Sequence, residues 1–290
     1  MTVINTNVAA SITANALTKN ERAMSQAMER LSTGQRINSA SDDAAGLAIA
    51  SRMTSQINGL NMAVRNANDA ISLVQTADGA LVEVSSMLQR MRELAVQAAS
   101  GTYSSTDKTA LDTEYDQLRL QIQDINDDTQ WNGTALLSGG TTFTFHVGAN
   151  ASQTVAVAIG DFDTDEANAS SGVFEALADA TSDNNNSNDD LATSNIDSAA
   201  NTAIGYLDEA ISRVNEERAK LGAAISRLEY ASDNLANISQ NTSASRSRVL
   251  DADYATETTE LARTQIIQQA ATAMLSQANQ YPQTVLALLK

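Results

Sequence analysis

Apolar residues along much of this chain recur at alternating steps of four and three. From residue 53 they run Met53, Ile57, Leu60, Val64, Ala67, Ile71 and Val74, followed at seven-residue spacing by Leu81 and Leu88. The same rule generates two further series: Leu111, Tyr115, Leu118, Ile122, Ile125, and then Ile204, Leu207, Ile211, Val214, Leu221, Ile225, Leu228, Leu235. A repeat of about 3.5 residues is typical of helices that wrap around partner helices. The pattern predicts a mainly α protein of long, coiled-coil-like helices, in which polar Asp78 and Arg218 interrupt two of the seams.

The longest predicted helix covers residues 44–99, a stretch without proline. At 1.5 Å per residue such a helix is roughly 80 Å long. A compact chain of this size has a diameter of about 50 Å, which is too small to contain it. We therefore expect an elongated rod, with a helical core made of residues 44–140 and 194–249.

The two ends of the chain carry narrower stripes that are rich in alanine. Near the N-terminus the stripe recurs every seven residues, as Val3, Ala10, Leu17, Met24 and Leu31. Near the C-terminus it is Ile267, Ala271, Met274, Ala278, Tyr281, Val285 and Leu288. Isolated helices of this kind are marginal in water, because most helix stability in proteins comes from burial. We expect residues 1–43 and 250–290 to form a terminal helical pair, ordered by each other or by neighbouring subunits, with the two stripes as its self-assembly surface.

Between residues 141 and 160 the apolar period switches to two. Phe143, Phe145 and Val147 alternate with polar residues, and Val155, Val157 and Ile159 do the same after a short loop. This alternation predicts a β-hairpin with one apolar face. The next residues, 161–193, are acidic and polar, and they contain no lysine or arginine. We interpret them as a short, variable outer loop segment.

The charge balance excludes several classes of function. Eighteen Lys and Arg against 35 Asp and Glu give a formal net charge of −17. Nucleic-acid binding needs a basic surface, so that class is excluded. No apolar run approaches the roughly 18 residues of a membrane helix, and we predict no membrane insertion. The first residues lack the basic and apolar regions of a secretory signal, so no cleaved signal peptide is expected.

Candidate chemistry is equally sparse. The chain has no cysteine and a single histidine, His146, which argues against a metal site. Phosphate-binding loops, dinucleotide fingerprints, nucleophile elbows and zinc-protease motifs are all missing from the sequence. Asp42 and Asp43 could be imagined as an acid–base pair, but they precede a predicted helix, where carboxylates cap backbone N–H groups. We predict no catalytic residue, no cofactor and no enzymatic activity.

Several motifs at both ends resemble those of bacterial flagellins. In the first half they include Ile4-Asn-Thr-Asn7, Glu29-Arg-Leu-Ser-Thr-Gly34, Asp42-Asp-Ala-Ala-Gly46 and Leu88-Gln-Arg-Met-Arg-Glu-Leu-Ala-Val-Gln97. In the second half they include Asn234-Leu-Ala-Asn237, Ser245-Arg-Ser-Arg248 and Gln277-Ala-Asn-Gln-Tyr-Pro-Gln-Thr-Val-Leu286. The resemblance covers roughly residues 1–160 and 195–290, with the motifs in the family's order. It departs from longer flagellins in the short segment that follows the hairpin.

The resemblance implies a structural subunit that polymerises with itself into the flagellar filament. It implies that the terminal pair lines the inner layer of the filament and that the helical core surrounds it. It further implies extracellular location after type III export, a dedicated export chaperone, and contacts with hook-associated and cap proteins. A hook–filament junction protein of the same family is the nearest alternative. A filament protein with an enzymatic outer domain is another, although the short outer segment argues against it.

The family also implies a partner outside the bacterium, the vertebrate Toll-like receptor that senses flagellin. The positions that match the receptor-binding surface of flagellins are Gln89, Arg90, Arg92, Glu93, Leu94, Gln97 and Glu114. Helical spacing places four of them on one face, namely Arg90, Glu93, Leu94 and Gln97. Leu94 is expected to serve packing as well.

Overall fold

The computed structural model describes residues 7–138, 140–162 and 196–287, with the backbone alone at residues 196–199, 202 and 281–287. Five helices span this part of the chain: α1 (Val8–Thr33), α2 (Ala44–Ala98), α3 (Ser105–Asp128), α4 (Ile196–Leu250) and α5 (Tyr254–Ala287). Four short strands follow α3: β1 (Gln130–Trp131), β2 (Thr134–Ala135), β3 (Thr142–His146) and β4 (Thr154–Ala158). The prediction of a mainly α chain with long helices and a small hairpin is confirmed. The chain divides into two compact units, residues 1–57 with 240–290, and residues 58–239.

Side-chain caps explain where the helices begin. The Asn7 Oδ1 accepts a hydrogen bond from the Ala10 N–H at 3.0 Å, which satisfies a backbone group that α1 leaves without a partner. At the start of α2, the Asp43 Oδ1 accepts from the Gly46 N–H at 2.9 Å, so the capping interpretation of this residue is confirmed. Ser104 and Asp107 form a reciprocal capping box at α3.

The core of the second unit is built from the predicted seams. Its fully buried side chains come from α2, α3 and α4 and include Val74, Leu81, Leu88, Ile122, Leu207, Val214, Leu221 and Leu228. All of these are positions of the alternating four-and-three pattern. The spacing therefore identified the inward faces of three helices that lie far apart in the sequence.

Polar contacts between described side chains connect α2 with α4 in this unit. Arg92 Nε donates to Asp208 Oδ1 at 2.6 Å, Arg218 Nε to Asp78 Oδ1 at 2.9 Å, and Ser239 Oγ to Asn61 Oδ1 at 2.9 Å. Residue numbers fall along α2 as they rise along α4, so the two helices run antiparallel. The two charged residues that interrupt the seams, Asp78 and Arg218, are thus partners of each other.

The strands form two small antiparallel ribbons. β3 pairs with β4 from Thr142 opposite Ala158 to His146 opposite Thr154, as the period of two predicted. Val155, Val157 and Ile159 are buried against the helices. The ribbon of β1 and β2 was not predicted. It turns at Asn132 and Gly133, which both have positive φ (49° and 81°), and Asn-Gly is a strong signal for such a tight turn.

The short outer segment predicted for residues 161–193 lies almost entirely outside the described residues. Among the residues that are described, no helix is apolar enough over sufficient length to cross a membrane. The described part of the chain also contains no cluster of His, Asp or Glu side chains suited to a metal ion.

Candidate functional site

The two ends of the chain pair as antiparallel helices in the first unit. Asn7 Nδ2 donates to the Ala278 carbonyl at 2.8 Å, and Asn20 Nδ2 donates to the Thr264 carbonyl at 2.7 Å. Nearer the base of the pair, the Arg30 guanidinium lies 3.0 Å from the Glu257 carboxylate. Numbers rise along α1 as they fall along α5, which confirms the pairing of the terminal helices.

The seam between α1 and α5 is narrow and partly polar. On α1 the covered positions include Ala10, Thr13, Leu17, Asn20 and Ala27. On α5 they include Glu257, Leu261, Thr264, Gln268, Ala271, Leu275 and Ala278. A buried amide such as Asn20 needs a partner, and the Thr264 carbonyl supplies it. Sequence reasoning missed these polar contacts because it followed apolar positions only.

The predicted self-assembly stripes divide between this seam and the open surface. On α1, Ala10, Leu17, Met24 and Leu31 are half-buried. On α5 the covered seam is shifted by one residue from the predicted stripe. Ile267 and Met274 of that stripe are therefore exposed, at 40% and 57%. The α5 backbone continues through Tyr281 and Val285, whose side chains are not described. Val3 and Leu288 lie outside the described residues.

The pair therefore leaves a set of large apolar side chains uncovered. On α1 these are Val8, Ile12 and Met28, and on α5 they are Tyr254, Ile266, Ile267 and Met274. Ile12 and Ile266 are each about two-thirds exposed, at 63% and 67%. Isolated exposed apolar residues are ordinary, but several on one helix pair suit a surface that is buried against another molecule.

Charge is divided unequally between the two units. Residues 1–57 and 240–290 contain nine Lys and Arg against eight Asp and Glu. Residues 58–239 contain nine against 27. The whole excess of negative charge thus belongs to the second unit. Electrostatic repulsion between copies is therefore weak at the terminal pair.

The outgoing and returning chain segments join where the terminal helices end. Gly34 ends α1 with a φ of 71°, a left-handed conformation that glycine adopts without strain. Its carbonyl accepts from the Ala252 N–H at 3.0 Å, and the Arg36 N–H donates to the Leu250 carbonyl at 2.7 Å. Gln35 and Asp251 form an isolated antiparallel bridge between these two bonds. We refer to residues 34–36 and 249–252 as the junction.

The carboxylate of Asp42 fixes the loop that leads from the junction to α2. Its Oδ2 accepts from the backbone N–H groups of Asn38 and Ser39 at 3.1 and 3.0 Å. The bonds from Ser39 and Asn38 hold the pKa of the Asp42 carboxyl below its ordinary value, because they favour the ionised form.

The positions that match the receptor surface occupy three different environments. Arg90 forms a charged cluster with Glu114 at 2.8 Å and Glu93 at 3.0 Å, and these carboxylates raise the pKa of its guanidinium. Arg92 instead contacts Asp208 of α4. Gln89 is exposed and Gln97 is half-buried.

Leu94 lies beneath this surface. Its side chain is only 1% exposed, so a protein that binds the single chain cannot contact it. Helical spacing predicted that Leu94 shares a face of α2 with Arg90. In the structure Arg90 is exposed, whereas Leu94 is buried in the core. The exposed part of the predicted patch is the cluster of Arg90, Glu93 and Glu114 together with Gln89.

Comparison with known proteins bears on what this arrangement does. The profile of the bacterial flagellin N-terminal helical region matches residues 4–142, and that of the flagellin C-terminal helical region matches residues 204–289. A flagellin of Bacillus subtilis is 44% identical over 99% of both chains, and one of Halalkalibacterium halodurans is 46% identical over 91% of both. The flagellar filament 33 kDa core protein of Treponema phagedenis is 39% identical over 99% of this chain and 100% of its own.

One solved structure extends the comparison to the fold. It is a Vibrio parahaemolyticus protein described as flagellar hook-associated, which is similar with a TM-score of 0.60. The similarity covers 72% of this chain and 100% of the other, at 13% identity. At that identity the likeness concerns the fold alone.

Proposed function

This chain belongs to the bacterial flagellin family and is a structural subunit of the flagellar filament, and from this premise we propose that its terminal helices drive polymerisation by folding as they assemble. The observation that carries the proposal is the exposed apolar surface of α1 and α5. Burial of each large apolar side chain stabilises a contact by about 1.5–3 kcal/mol. The pair itself is stabilised by a narrow seam, so neighbouring copies would supply much of the burial that keeps it ordered.

The charge distribution supports the same proposal. Nearly neutral terminal pairs can pack closely in the interior of a polymer, while the acidic second unit stays nearer the solvent. A repeated head-to-tail contact that does not close into a ring produces an open helical polymer. The proposed inner layer consists of residues 1–43 and 250–290, and the surrounding layer of the remaining helices.

We predict that polymerisation protects the terminal helices from trypsin. Cleavage after Lys19, Arg22 and Arg263 should be at least about tenfold slower in filaments than in monomer, because local opening is suppressed when both faces of the pair are buried. The measurement is mass spectrometry of timed digests. Monomer held in the same buffer below the polymerisation threshold serves as the control. Equal cleavage of the two forms would exclude coupled folding and assembly.

The remaining assignments follow from family membership. We propose that the chain acts outside the cell without a cleaved signal peptide, after type III export in an unfolded state with a dedicated chaperone. Its further partners would be the hook-associated and cap proteins at the filament ends. We propose no enzymatic activity and no cofactor, because the role is mechanical.

We further propose that the released monomer binds the vertebrate Toll-like receptor that senses flagellin. The exposed cluster of Arg90, Glu93 and Glu114 supports this assignment, since an ion-paired arginine ringed by polar side chains suits the centre of an interface.

The proposed receptor surface is best tested at Arg90, an exposed residue of the patch. We expect Arg90→Ala to raise the half-maximal concentration in a receptor reporter assay by about tenfold or more. Arg213→Ala removes a half-buried, ion-paired arginine on α4 and should leave the response unchanged. Leu94→Ala is unsuitable, because it would create a cavity in the core. Equal responses to wild type and to a helical Arg90→Ala monomer would refute the assignment.

A further inference from the structure

The chain contains two Asn-Gly dipeptides, which lie in opposite environments. Asn58-Gly59 is part of α2, and Asn132-Gly133 forms the turn between β1 and β2. Asparagine followed by glycine is chemically labile, because glycine has no side chain to hinder attack of its backbone nitrogen on the preceding side-chain amide. Both sites share this local chemistry, so a difference in reactivity between them comes from the fold.

The reacting groups of the Asn132-Gly133 turn are held by no hydrogen bond. Within the described part of the chain, neither the Asn132 side-chain amide nor the Gly133 N–H has a hydrogen-bond partner. Both residues are exposed. No atom of a more distant residue lies within 4 Å of the position that a Cβ on Gly133 would take. Water and hydroxide therefore reach these amides from solvent.

The ribbon that carries this turn is short enough to open locally. Its strands pair at two positions, Gln130 with Ala135 and Trp131 with Thr134. A two-stranded ribbon by itself is marginally stable in water. Attack on the side chain requires rotation of the backbone at the asparagine, and a low cost of opening makes that rotation accessible. The two leucines that follow β2, Leu136 and Leu137, are fully buried and anchor the base of the ribbon while its tip opens.

Asn58 is held in a conformation that prevents the same reaction. In an α-helix the Gly59 N–H donates to the carbonyl four residues earlier, so its nitrogen is not free to attack. Rotation of the backbone at Asn58 would break helical hydrogen bonds on both sides, and opening inside a long helix is costly. The Asn58 side chain is exposed, like that of Asn132, so the protection comes from the backbone and not from burial of the amide.

We propose that Asn132 is a site of spontaneous deamidation in the folded chain and that Asn58 is protected. The Gly133 nitrogen loses its proton to solvent base and bonds to the Asn132 Cγ. The Cγ–Nδ2 bond then breaks, and the side-chain nitrogen takes up a proton and leaves as ammonia. Water opens the resulting cyclic imide at Cγ to give aspartate, or at the backbone carbonyl to give isoaspartate. One water is consumed for each ammonia released, and nothing is oxidised or reduced.

The products change both the charge and the geometry of the turn. Each adds a negative charge to the acidic second unit, and isoaspartate also lengthens the backbone of the turn by one carbon. A two-residue turn fixes the register of its strands, so isoaspartate should disrupt the pairing of Trp131 with Thr134. Trp131 packs against the core and is the only tryptophan of the chain, so its fluorescence reports this change.

The test compares the two asparagines within one sample. Full-length monomer is held in mildly alkaline buffer, and peptide mass spectrometry of timed samples measures the conversion of each amide to an acid. We expect Asn132 to convert at least about tenfold faster than Asn58, because only the ribbon opens at low cost. In concentrated urea the fold no longer distinguishes the sites, and the two rates should agree within about a factor of three.

Two variants serve as controls. Asn58→Gln should leave the rate at Asn132 unchanged. Asn132→Asp carries the charge of the products without the additional backbone carbon, so its fluorescence when fresh should match that of unconverted wild type, while converted wild type should shift to longer wavelength. A shift already present in fresh Asn132→Asp would refute the effect on register. The proposal is overturned if the two asparagines of the folded chain convert at equal rates, if Asn58 converts faster, or if Asn132 reacts only in urea.

Discussion

Replacing Ile266 and Met274 with serine should raise the critical concentration for polymerisation by roughly 100-fold. Both side chains are more than half exposed on α5 in the single chain, so their removal leaves the seam with α1 intact. If neighbouring copies bury them, the loss is about 1.5–3 kcal/mol for each side chain. Two such losses correspond to two or more powers of ten in an association constant. Sedimentation of seeded assemblies over a range of concentrations measures the effect.

The matched control uses polar residues of the same helix. Gln269→Ala and Thr272→Ala change exposed positions between the two apolar residues and should leave the critical concentration nearly unchanged. The monomers should have the same helical content as wild type by circular dichroism. Normal assembly of the serine variant would show that α5 meets its neighbours through another face, and the proposed role of the exposed apolar surface would be wrong.

The second large effect concerns the stability of the second unit. Leu81 is fully buried at the centre of its core, and Leu81→Ala should lower the free energy of unfolding by about 2–5 kcal/mol, through lost apolar burial and the cavity left behind. The adjacent Val82 is 39% exposed, and Val82→Ala should lower it by no more than about 0.5 kcal/mol. Urea unfolding followed by circular dichroism measures both values.

The comparison of these neighbours tests the assignment of faces directly. If the two substitutions were equally destabilising, the alternating pattern would not identify the buried face of α2. Because the chain has two compact units, the urea unfolding of the second unit should be measured both in the monomer and in the polymer. The unfolding free energy is defined only where a single cooperative transition is observed.

Much of the fold could be predicted because helical packing repeats its spacing. The seams of α2 and α4 were read from positions such as Val74 and Leu207, and the structure buries both. The pairing of Asp78 with Arg218 could not be read in this way. Each residue appeared as an interruption of its own seam, and only the antiparallel register of the two helices brings them together. Partners across helices depend on rotation and register, which periodicity within one helix does not specify.

The candidate surfaces show the same limit. On α5 the predicted apolar series contains Ile267 and Met274, which are exposed. The seam that is covered contains the polar residues Thr264 and Gln268 instead. A polar residue in a seam is stabilised by a specific hydrogen bond, such as the one that Asn20 donates to the Thr264 carbonyl. A search for apolar periodicity does not detect such residues. For the receptor positions, family resemblance identified residues but not their exposure. Leu94 therefore appeared beside Arg90 although it faces the core.

The long sequence separation of the α1–α5 contacts determines when the terminal pair can form. The bonds from Asn7 and Asn20 close over 271 and 244 residues. The helix α1 therefore lacks its helical partner until almost the entire polypeptide is present. Closing so long a loop directly is entropically unfavourable, whereas prior folding of the intervening residues shortens the distance to be closed. We therefore infer that the second unit folds early and the terminal pair last, so α1 spends the interval as an unpaired amphipathic segment available to other molecules.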